Sequence, residues 1–215
     1  PVVSTLAEAG ILTTTGDVKL DTSDIQKNIL GAGVIGGKVY GVPIGANTLA
    51  LYYNKKVLSE TGVDISTVVD WKSLTDALAK VTAAGKKGIT FSAIGTEEGS
   101  FQFLPWFWGA GADLTELDSS QAEAALTLWT DWVQRGLAPN PVISNTQGTS
   151  WDEFKTGDFG FAENGSWFQG DADTAGWGVI QVQGIDGGAA PAPTGGEFIA
   201  IPVQKDTSRY ATSAK

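Results

Sequence analysis

Cysteine, histidine and methionine are all absent from the 215-residue sequence. Without cysteine or histidine the chain cannot form disulfides, thiolate nucleophiles, Ser-His-Asp triads or histidine-ligated metal sites. The lack of cysteine does not identify the compartment, because disulfide-free proteins occur both inside and outside cells. Asp17, Asp21 and Asp24 also lack the spacing of a calcium-binding loop. We therefore expect no bound metal, and no motif indicates a cofactor.

Positive charge is scarce as well. The 14 Lys and Arg residues are outnumbered by 24 Asp and Glu residues, which gives a net charge of −10 and a pI near 4.4. Such a surface repels nucleic-acid phosphates and anionic lipid, so we expect neither as a partner. The sequence contains no run of about 18 apolar residues, so it predicts no membrane-spanning helix. Hydrophobic residues make up 42% of the chain, enough for a core in one large domain or two lobes.

Neither end of the sequence has a usual boundary. It begins PVVSTLAEAG, with no initiator methionine and no signal peptide, and it ends SRYATSAK, which is typical of the first turn of a helix. We expect a fragment that lacks both ends of the natural protein. The absence of a targeting segment then says nothing about that protein.

Strand-like and helix-like segments alternate along the chain. TLALYYN is β-prone and almost entirely apolar, as in a buried strand. The clearest helices are DWKSLTDALAKVTAAG, capped by Asp70, and SSQAEAALTLWTDWVQRG, capped by Ser119 or Ser120. SFQFLPWFWGAG resembles a short helix that Pro105 breaks or kinks. The alternation predicts an α/β fold with parallel strand pairing.

The stretch ILGAGVIGGKVYGVP contains the pattern G-x-G-x-x-G at Gly31, Gly33 and Gly36. A dinucleotide site needs a strand before these glycines and a helix that starts within them. Here a helix-like segment precedes them, the strand-like KVYGVPI follows, and no acidic residue stands about 20 positions further on. We therefore interpret the glycines as a helix-to-strand loop and not as a nucleotide site.

Tryptophan is the main functional clue, with eight in the chain. Trp106, Trp108, Trp151 and Trp167 lie in polar or glycine-rich surroundings, whereas Trp129 has a helix packing position. A flat indole stacks on the apolar face of a sugar, while carboxylates and amides bind its hydroxyl rim. Trp167 follows the predicted strand FGFAENG, at the kind of strand end where α/β proteins bind ligands. Burial in the core remains the alternative for these side chains.

The carboxylates leave an enzymatic alternative open. Six acidic residues are candidates for acid–base work: Glu97, Glu98, Asp152, Glu153, Glu163 and Glu197. A glycosidase needs two carboxyl groups about 5–9 Å apart, and the sequence does not reveal that distance.

Six motifs, in order, resemble those of bacterial sugar-binding proteins of ABC importers. GKVYGVPIGANTLALYYNKKVLSETGVD is similar to that family's G-K-x-Y-G-(V/L)-P segment and the Y-N-K turn that follows it. DWKSLTDALAKV, FLPWFWGAGADL and EAALTLWTDWVQRGLAPNP resemble its next three motifs, and EFKTGDFGFAENGSW and WGVIQVQGIDGG…GGEFIAIP its last two. The match runs from Leu6 to about Lys205. GDFGFAENG departs from the pattern, because the family has a small residue or Met before its N-G-x-W.

The resemblance implies a type II periplasmic-binding-protein fold, with two α/β lobes, crossing strands and a sugar in the cleft. The implied organisation is 1–50 as part of an incomplete N-lobe with the first crossover, 51–175 as the C-lobe, and 176–215 as the return to the N-lobe with the second crossover. In it, Trp167 would be the stacking platform, with Asn47 and Glu197 as partners of sugar hydroxyls. The positions that match family ligand contacts are Asn47, Phe101, Trp106, Trp108, Trp151, Asn164, Trp167, Gly195, Gly196 and Glu197.

The implied function is capture of a sugar or oligosaccharide by hinge closure of the lobes, followed by delivery to a membrane permease. The resemblance also implies an extracellular or periplasmic monomer, anchored to lipid through a missing N-terminus, with no catalytic residues and no cofactor. Two alternatives remain. One is a carbohydrate-active enzyme such as a glycosidase, and the other is a binding protein for a peptide or polyamine, which the acidic charge keeps open.

Overall fold

The computed structural model describes residues 2–214, and the chain forms two compact units. Unit 2 is the continuous segment Thr48–Pro193, and unit 1 contains the residues up to Asn47 together with those from Thr194 onward. The sequence predicted that the chain leaves the N-lobe after residue 50 and returns to it after residue 175. The return lies later because the strand Gly178–Ile180 pairs within the sheet of unit 2, which keeps the segment after residue 175 in that unit.

The described chain contains both helices and short strands. The helices are α1 (Val2–Glu8), α2 (Lys27–Leu30), α3 (Lys55–Glu60), α4 (Trp71–Ala83), α5 (Glu97–Gly109), α6 (Ser120–Gln134), α7 (Gln147–Lys155), α8 (Gln169–Ala175) and α9 (Tyr210–Ser213). The strands are β1 (Val34–Ile35), β2 (Lys38–Val39), β3 (Val42–Pro43), β4 (Leu49–Tyr53), β5 (Lys87–Thr90), β6 (Phe159–Gly165), β7 (Gly178–Ile180) and β8 (Phe198–Ile199). Within residues 2–214, no helix has the length and apolar character needed to cross a bilayer.

Unit 2 is built on a four-stranded sheet in the order β5-β6-β4-β7. β5 and β6 pair in parallel, but β4 runs antiparallel to both β6 and β7. The prediction of parallel pairing is therefore wrong for two of the three strand pairs. The two helices α3 and α4 separate β4 from β5, so the chain enters β5 in the opposite direction. Three helices lie between β5 and β6, and one lies between β6 and β7. Both β6 and β7 therefore run in the same direction as β5.

Both faces of this sheet are covered by helices. Along β4, Leu51 belongs to one apolar cluster with Leu74 of α4 and Trp132 of α6. The next residue, Tyr52, belongs to a second cluster with Trp151 of α7. Because successive side chains of a strand point to opposite faces, β4 is buried on both sides, which confirms the prediction for TLALYYN.

The predicted starts of the two clearest helices are confirmed. The Asp70 carboxylate accepts a hydrogen bond from the backbone N–H of Ser73 at 2.7 Å, in a reciprocal capping box at the start of α4. The Ser119 hydroxyl accepts from the backbone N–H of Ala122 at 3.3 Å and caps α6. These caps depend on neighbours three residues away, so the sequence was sufficient to locate them.

Helix α5 differs from its prediction, because it begins at Glu97 and continues through Pro105 to Gly109. A proline removes one backbone hydrogen bond and crowds the preceding turn. Here the turn that contains it is packed into the core, with Trp106 0% exposed and Phe107 4% exposed. Burial of these large side chains offsets the lost bond, so the helix does not end at the proline.

Unit 1 contains two short antiparallel pairs, β1 with β2 and β3 with β8. Gly31 and Gly33 form a 3-10 turn directly after α2, and Gly36 lies in the turn between β1 and β2 with φ of 57°. A Cβ on Gly33 would overlap the carbonyl oxygen of Gly41, so close backbone contact requires glycine there. The order of helix, glycines and strand confirms the helix-to-strand loop and excludes the element order of a dinucleotide site.

Candidate functional site

Trp167 lies just beyond the C-terminal end of β6, in the 3-10 turn Ser166–Phe168. Its indole lies against Gly165, since a Cβ on that glycine would overlap three carbons of the ring. The residue is nevertheless 38% exposed. One side of the ring thus contacts the backbone while part of the residue is open to solvent, which is the arrangement that a stacking platform needs.

The two residues before Gly165 attach this strand end to the neighbouring helices. The Glu163 carboxyl accepts a hydrogen bond from Nε1 of Trp106 on α5 at 2.9 Å. The Asn164 side chain donates from Nδ2 to the backbone carbonyl of Gln147 on α7 at 2.9 Å. The end of β6 is therefore fixed on both faces of the sheet.

Gly165 itself is fixed to the neighbouring strand. Its carbonyl oxygen accepts a hydrogen bond from the buried hydroxyl of Tyr52 on β4 at 2.7 Å. Burial raises the pKa of Tyr52 to about 12, with a smaller contribution from Asp173, so the hydroxyl keeps its proton and remains a donor at physiological pH. The backbone on which the Trp167 ring lies is consequently bonded to β4.

Phe168 supports the platform from the core side. Its ring stacks on Trp151 with centroids 4.6 Å apart and an interplanar angle of 7°, and it lies 6.1 Å from the ring of Trp167. The sequence analysis did not single out Phe168 or Tyr52. The signal for Phe168 was its position beside Trp167, whereas Tyr52 lies 113 positions from Gly165 and gave no signal.

In unit 1 the structure brings together four of the predicted site residues. Asn47 and Gly195 form an antiparallel bridge, in which their backbone N–H groups donate to each other's carbonyls at 3.0 and 2.8 Å. Gly196 follows with φ of 139°, and a Cβ there would overlap the carbonyl oxygen of Gly45, so a side chain does not fit. Glu197 comes next and is exposed.

The remaining predicted contacts divide by burial. Three of them are 0% exposed and have their polar groups bonded inside unit 2: Trp106, Trp151 and Asn164. They offer no surface to a ligand in this structure, which favours the core alternative that the sequence left open for these side chains. Phe101 and Trp108 on α5 are half-buried, so they keep some open surface and remain predictions.

Several acidic candidates for catalysis have structural partners instead. Glu98 accepts from the backbone N–H of Gln147 at 2.7 Å. Glu153 accepts from the Thr90 hydroxyl at 2.7 Å and from Asn145 Nδ2 at 2.8 Å. In the part of the chain that the structure describes, no group of three or more acidic side chains is placed to hold a metal ion.

A concavity of about 510 Å³ lies at the other end of the unit 2 sheet, where β4 ends and β5, β6 and β7 begin. Its lining includes Lys55, Lys56, Lys86, Asp158 and Trp177, and Lys86 is paired with Asp158 at 3.1 Å. Lysines suit an anion better than the uncharged rim of a neutral sugar. Because the concavity lies at the opposite end of the sheet from Trp167, it is also separate from the candidate sugar site.

The family model for bacterial extracellular solute-binding proteins matches residues 1–215. The chain belongs to that family. Its mixed α/β fold is accordingly that of the type II solute-binding proteins, as the resemblance implied, and the family places this solute-binding protein outside the cytoplasm.

Solved relatives agree with the fold of this solute-binding protein. The GacH receptor of Streptomyces glaucescens GLA.O, solved unliganded and with acarbose, is 26% identical with a TM-score of 0.83, over 99% of this chain and 57% of that chain. The maltose-bound MalE3 of T. maritima is 22% identical with a TM-score of 0.82, over 96% and 56% of the two chains. This second likeness supports the fold alone.

Curated relatives match shorter stretches. A binding protein of Brucella abortus (strain 2308) is 28% identical over 141 residues, which is 62% of this chain and 34% of that protein. The arabinooligosaccharide-binding protein of Halalkalibacterium halodurans is 30% identical over 71 residues, which is 33% of this chain and 15% of that protein. The matched region thus covers at most about a third of these curated relatives. The family and its solved relatives are binding proteins and not enzymes.

Proposed function

We propose that this solute-binding protein binds a sugar or oligosaccharide and delivers it, chemically unchanged, to the membrane permease of an ABC transporter. The observation that carries the proposal is the placement of Trp167, 38% exposed and seated on Gly165. A half-open indole on an anchored strand end offers a flat apolar surface that complements the C–H face of a pyranose ring. The acarbose complex of the GacH receptor and the arabinooligosaccharide-binding relative support a carbohydrate ligand.

Unit 1, taken by itself, also has candidate partners for sugar hydroxyls. The exposed carboxylate of Glu197 can accept hydrogen bonds from sugar hydroxyls, and the Asn47 amide can both donate and accept. Gly195 and Gly196 would let ligand atoms approach the backbone between them. Phe101 and Trp108 are proposed as further apolar contacts through their exposed parts.

Isothermal titration calorimetry tests the class of ligand. The panel contains neutral mono- and oligosaccharides, including maltose, arabinooligosaccharides and acarbose, with spermidine and a short peptide as comparators. We expect saturable binding of at least one sugar and no binding of the comparators. Binding of spermidine or the peptide alone would replace the sugar by that class of solute, and no binding at all would contradict the proposal.

A second assay separates binding from catalysis. The tightest oligosaccharide is incubated with the protein, and new reducing ends are measured over time. We expect none, because capture changes no covalent bond. Hydrolysis that disappears in the Glu197→Gln variant would establish a glycosidase instead.

We also propose that the protein acts as a monomer, attached to the outer face of the cell membrane by lipid. The monomer is tested by light scattering during size-exclusion chromatography, where a dimer mass would contradict it. Binding to the permease is tested by co-purification from membranes with and without the bound sugar. A permease that fails to co-purify under both conditions would count against delivery.

A further inference from the structure

Glu163 is a carboxylic acid in the interior of unit 2. Its side chain is 0% exposed, and it lies opposite Leu51 in the pairing of β6 with β4. Burial raises the pKa of Glu163 well above its usual value, and the hydrogen bond from Trp106 lowers it by less. An ionised carboxylate at such a depth needs a charged partner to offset its lost hydration.

No such partner comes from the elements packed on β6. The charged side chains of these elements are all at least partly exposed: Lys55, Lys56 and Glu60 on α3, Lys72, Asp76 and Lys80 on α4, Lys87 on β5, Glu97 and Glu98 on α5, and Asp152, Glu153 and Lys155 on α7. β4 contributes only tyrosines as titratable groups, and β7 contributes none. Glu163 therefore lacks the cation that would keep it ionised.

Two buried acceptor oxygens in this region have no donor among the described residues. One is Oε1 of Glu163, and the other is Oε1 of Gln102 on α5. Gln102 and Trp106 are four residues apart, so they lie on the same face of α5. Both already bond to Glu163: Trp106 through the side chain at 2.9 Å, and Gln102 Nε2 through the backbone carbonyl at 3.1 Å. A proton on the Glu163 carboxyl would supply the missing donor.

We propose that Glu163 is held as a neutral carboxylic acid that accepts from Trp106 and donates to Gln102, and that this acid is a positioning residue for Trp167. It joins one face of α5 to β6 at the strand end that carries the platform. The positioning role rests on the proposed sugar-binding function. The protonation state does not.

Three variants separate these statements. Glu163→Gln has the shape of the neutral acid and can accept and donate at the same two positions, whereas Glu163→Leu can do neither. Gln102→Met removes the proposed acceptor together with the Nε2 donor to the Glu163 backbone carbonyl, and leaves the bond between Glu163 and Trp106. Glu123→Gln, which changes an exposed glutamate on α6, is the matched control.

Infrared spectroscopy at pH 7 tests the proton directly. The wild-type spectrum should contain the carbonyl band of a protonated carboxylic acid, which Glu163→Gln removes and Glu123→Gln retains. Absence of that band, with a carboxylate band lost in Glu163→Gln instead, would overturn the neutral acid whatever the protein binds.

The pH dependence of unfolding gives a second readout. Because the folded pKa of Glu163 is raised, its contribution to stability is complete below the unfolded pKa of about 4.3 and is lost as the pH rises through the folded pKa. In that window the folding equilibrium constant of the wild type should fall by about tenfold per pH unit relative to Glu163→Gln. Parallel curves for the two proteins would contradict the proposal, as would a wild type that gains stability relative to the variant.

Sugar affinity at pH 7 tests the positioning role. We expect Glu163→Gln to stay within about twofold of the wild type and Glu163→Leu to bind about fivefold or more weakly, the effect of one neutral hydrogen bond. Wild-type affinity in folded Glu163→Leu would overturn the role. If Glu163→Leu does not fold, the sugar affinity of Gln102→Met is measured instead. Wild-type affinity in Gln102→Met would likewise overturn the positioning role. A wild type that binds no sugar would contradict the proposed function while the infrared result still stands.

Discussion

Replacement of Trp167 by alanine should weaken sugar binding by about 1–3 kcal/mol. The magnitude follows from the part of the residue that a ligand can cover, which is 38% of its surface. If a tryptophan has about 250 Å² in all, about 95 Å² is available. At about 25 cal/mol per Å², full coverage by a sugar contributes about 2.4 kcal/mol and half coverage about 1.2 kcal/mol. The dissociation constant should therefore rise by about 8-fold to 60-fold.

Calorimetric titration with the tightest sugar of the panel measures this change. Trp167→Phe should lose less than Trp167→Ala, since a phenyl ring retains part of the flat surface. Leu126→Ala is the matched control, because Leu126 is also an exposed apolar side chain, at 60% exposure, but lies on α6. Thermal unfolding of each variant establishes that the fold is retained.

An unchanged affinity in folded Trp167→Ala would refute the stacking platform. An equal loss in Leu126→Ala would show that the effect is not specific to the ring. A loss accompanied by a large drop in melting temperature would assign the effect to the fold, because removal of a partly exposed side chain at the end of an anchored strand should leave the core intact.

The remaining predictions concern the residues around the platform and one helix start. Gly165→Ala should displace the Trp167 ring by roughly 1 Å or more to restore ordinary contact, with a shifted tryptophan fluorescence spectrum and a sugar affinity that falls about 2-fold to 10-fold. Tyr52→Phe removes the hydroxyl that donates to Gly165 at 2.7 Å, so chemical denaturation should show a loss of about 1 kcal/mol. Asn54→Ala removes the cap that accepts from the Lys56 and Val57 backbone N–H groups at 3.1 and 3.3 Å, and should cost about 0.5–2 kcal/mol, while Asn54→Asp should cost less.

Each of these has an outcome that would count against it. Native fluorescence and affinity in Gly165→Ala would mean that the ring does not lie on the glycine. A Tyr52→Phe protein as stable as the wild type would mean that the hydroxyl is not needed to hold the strand end. Equal losses in Asn54→Ala and Asn54→Asp would mean that the side-chain oxygen is not the source of the cap's contribution.

Much of the local structure could be predicted because its causes lie within a few residues. Asp70 meets Ser73 across one helical turn, and the apolar run TLALYYN has the composition of a strand with two covered faces. The position of Trp167 after FAENG likewise placed it at a strand end. The glycines at positions 31–36 could be distinguished from a nucleotide-binding motif because the sequence predicts a helix before them and a strand after them.

Strand direction and burial could not be read in this way. Whether β4 runs parallel or antiparallel to β6 depends on how many helices and strands the chain forms between them. The predicted alternation of strands and helices did not establish that number. Trp106 and Trp167 each have a glycine within three residues in the sequence, yet one is 0% exposed and the other 38%. The difference arises because α5 lies on the sheet with Trp106 directed at Glu163, a residue 57 positions away.

The sequence by itself determined the class of fold, the starts of α4 and α6, the family and the identity of the candidate platform, because these depend on composition, short-range spacing and motif order. Only the tertiary structure decided which aromatic rings face solvent, which strands are antiparallel, and that Glu163 lies buried beside Gln102 and Trp106 without a cation. Those properties arise from contacts between residues far apart in the chain. Their energies depend on burial and on hydrogen-bond geometry, which no local pattern encodes.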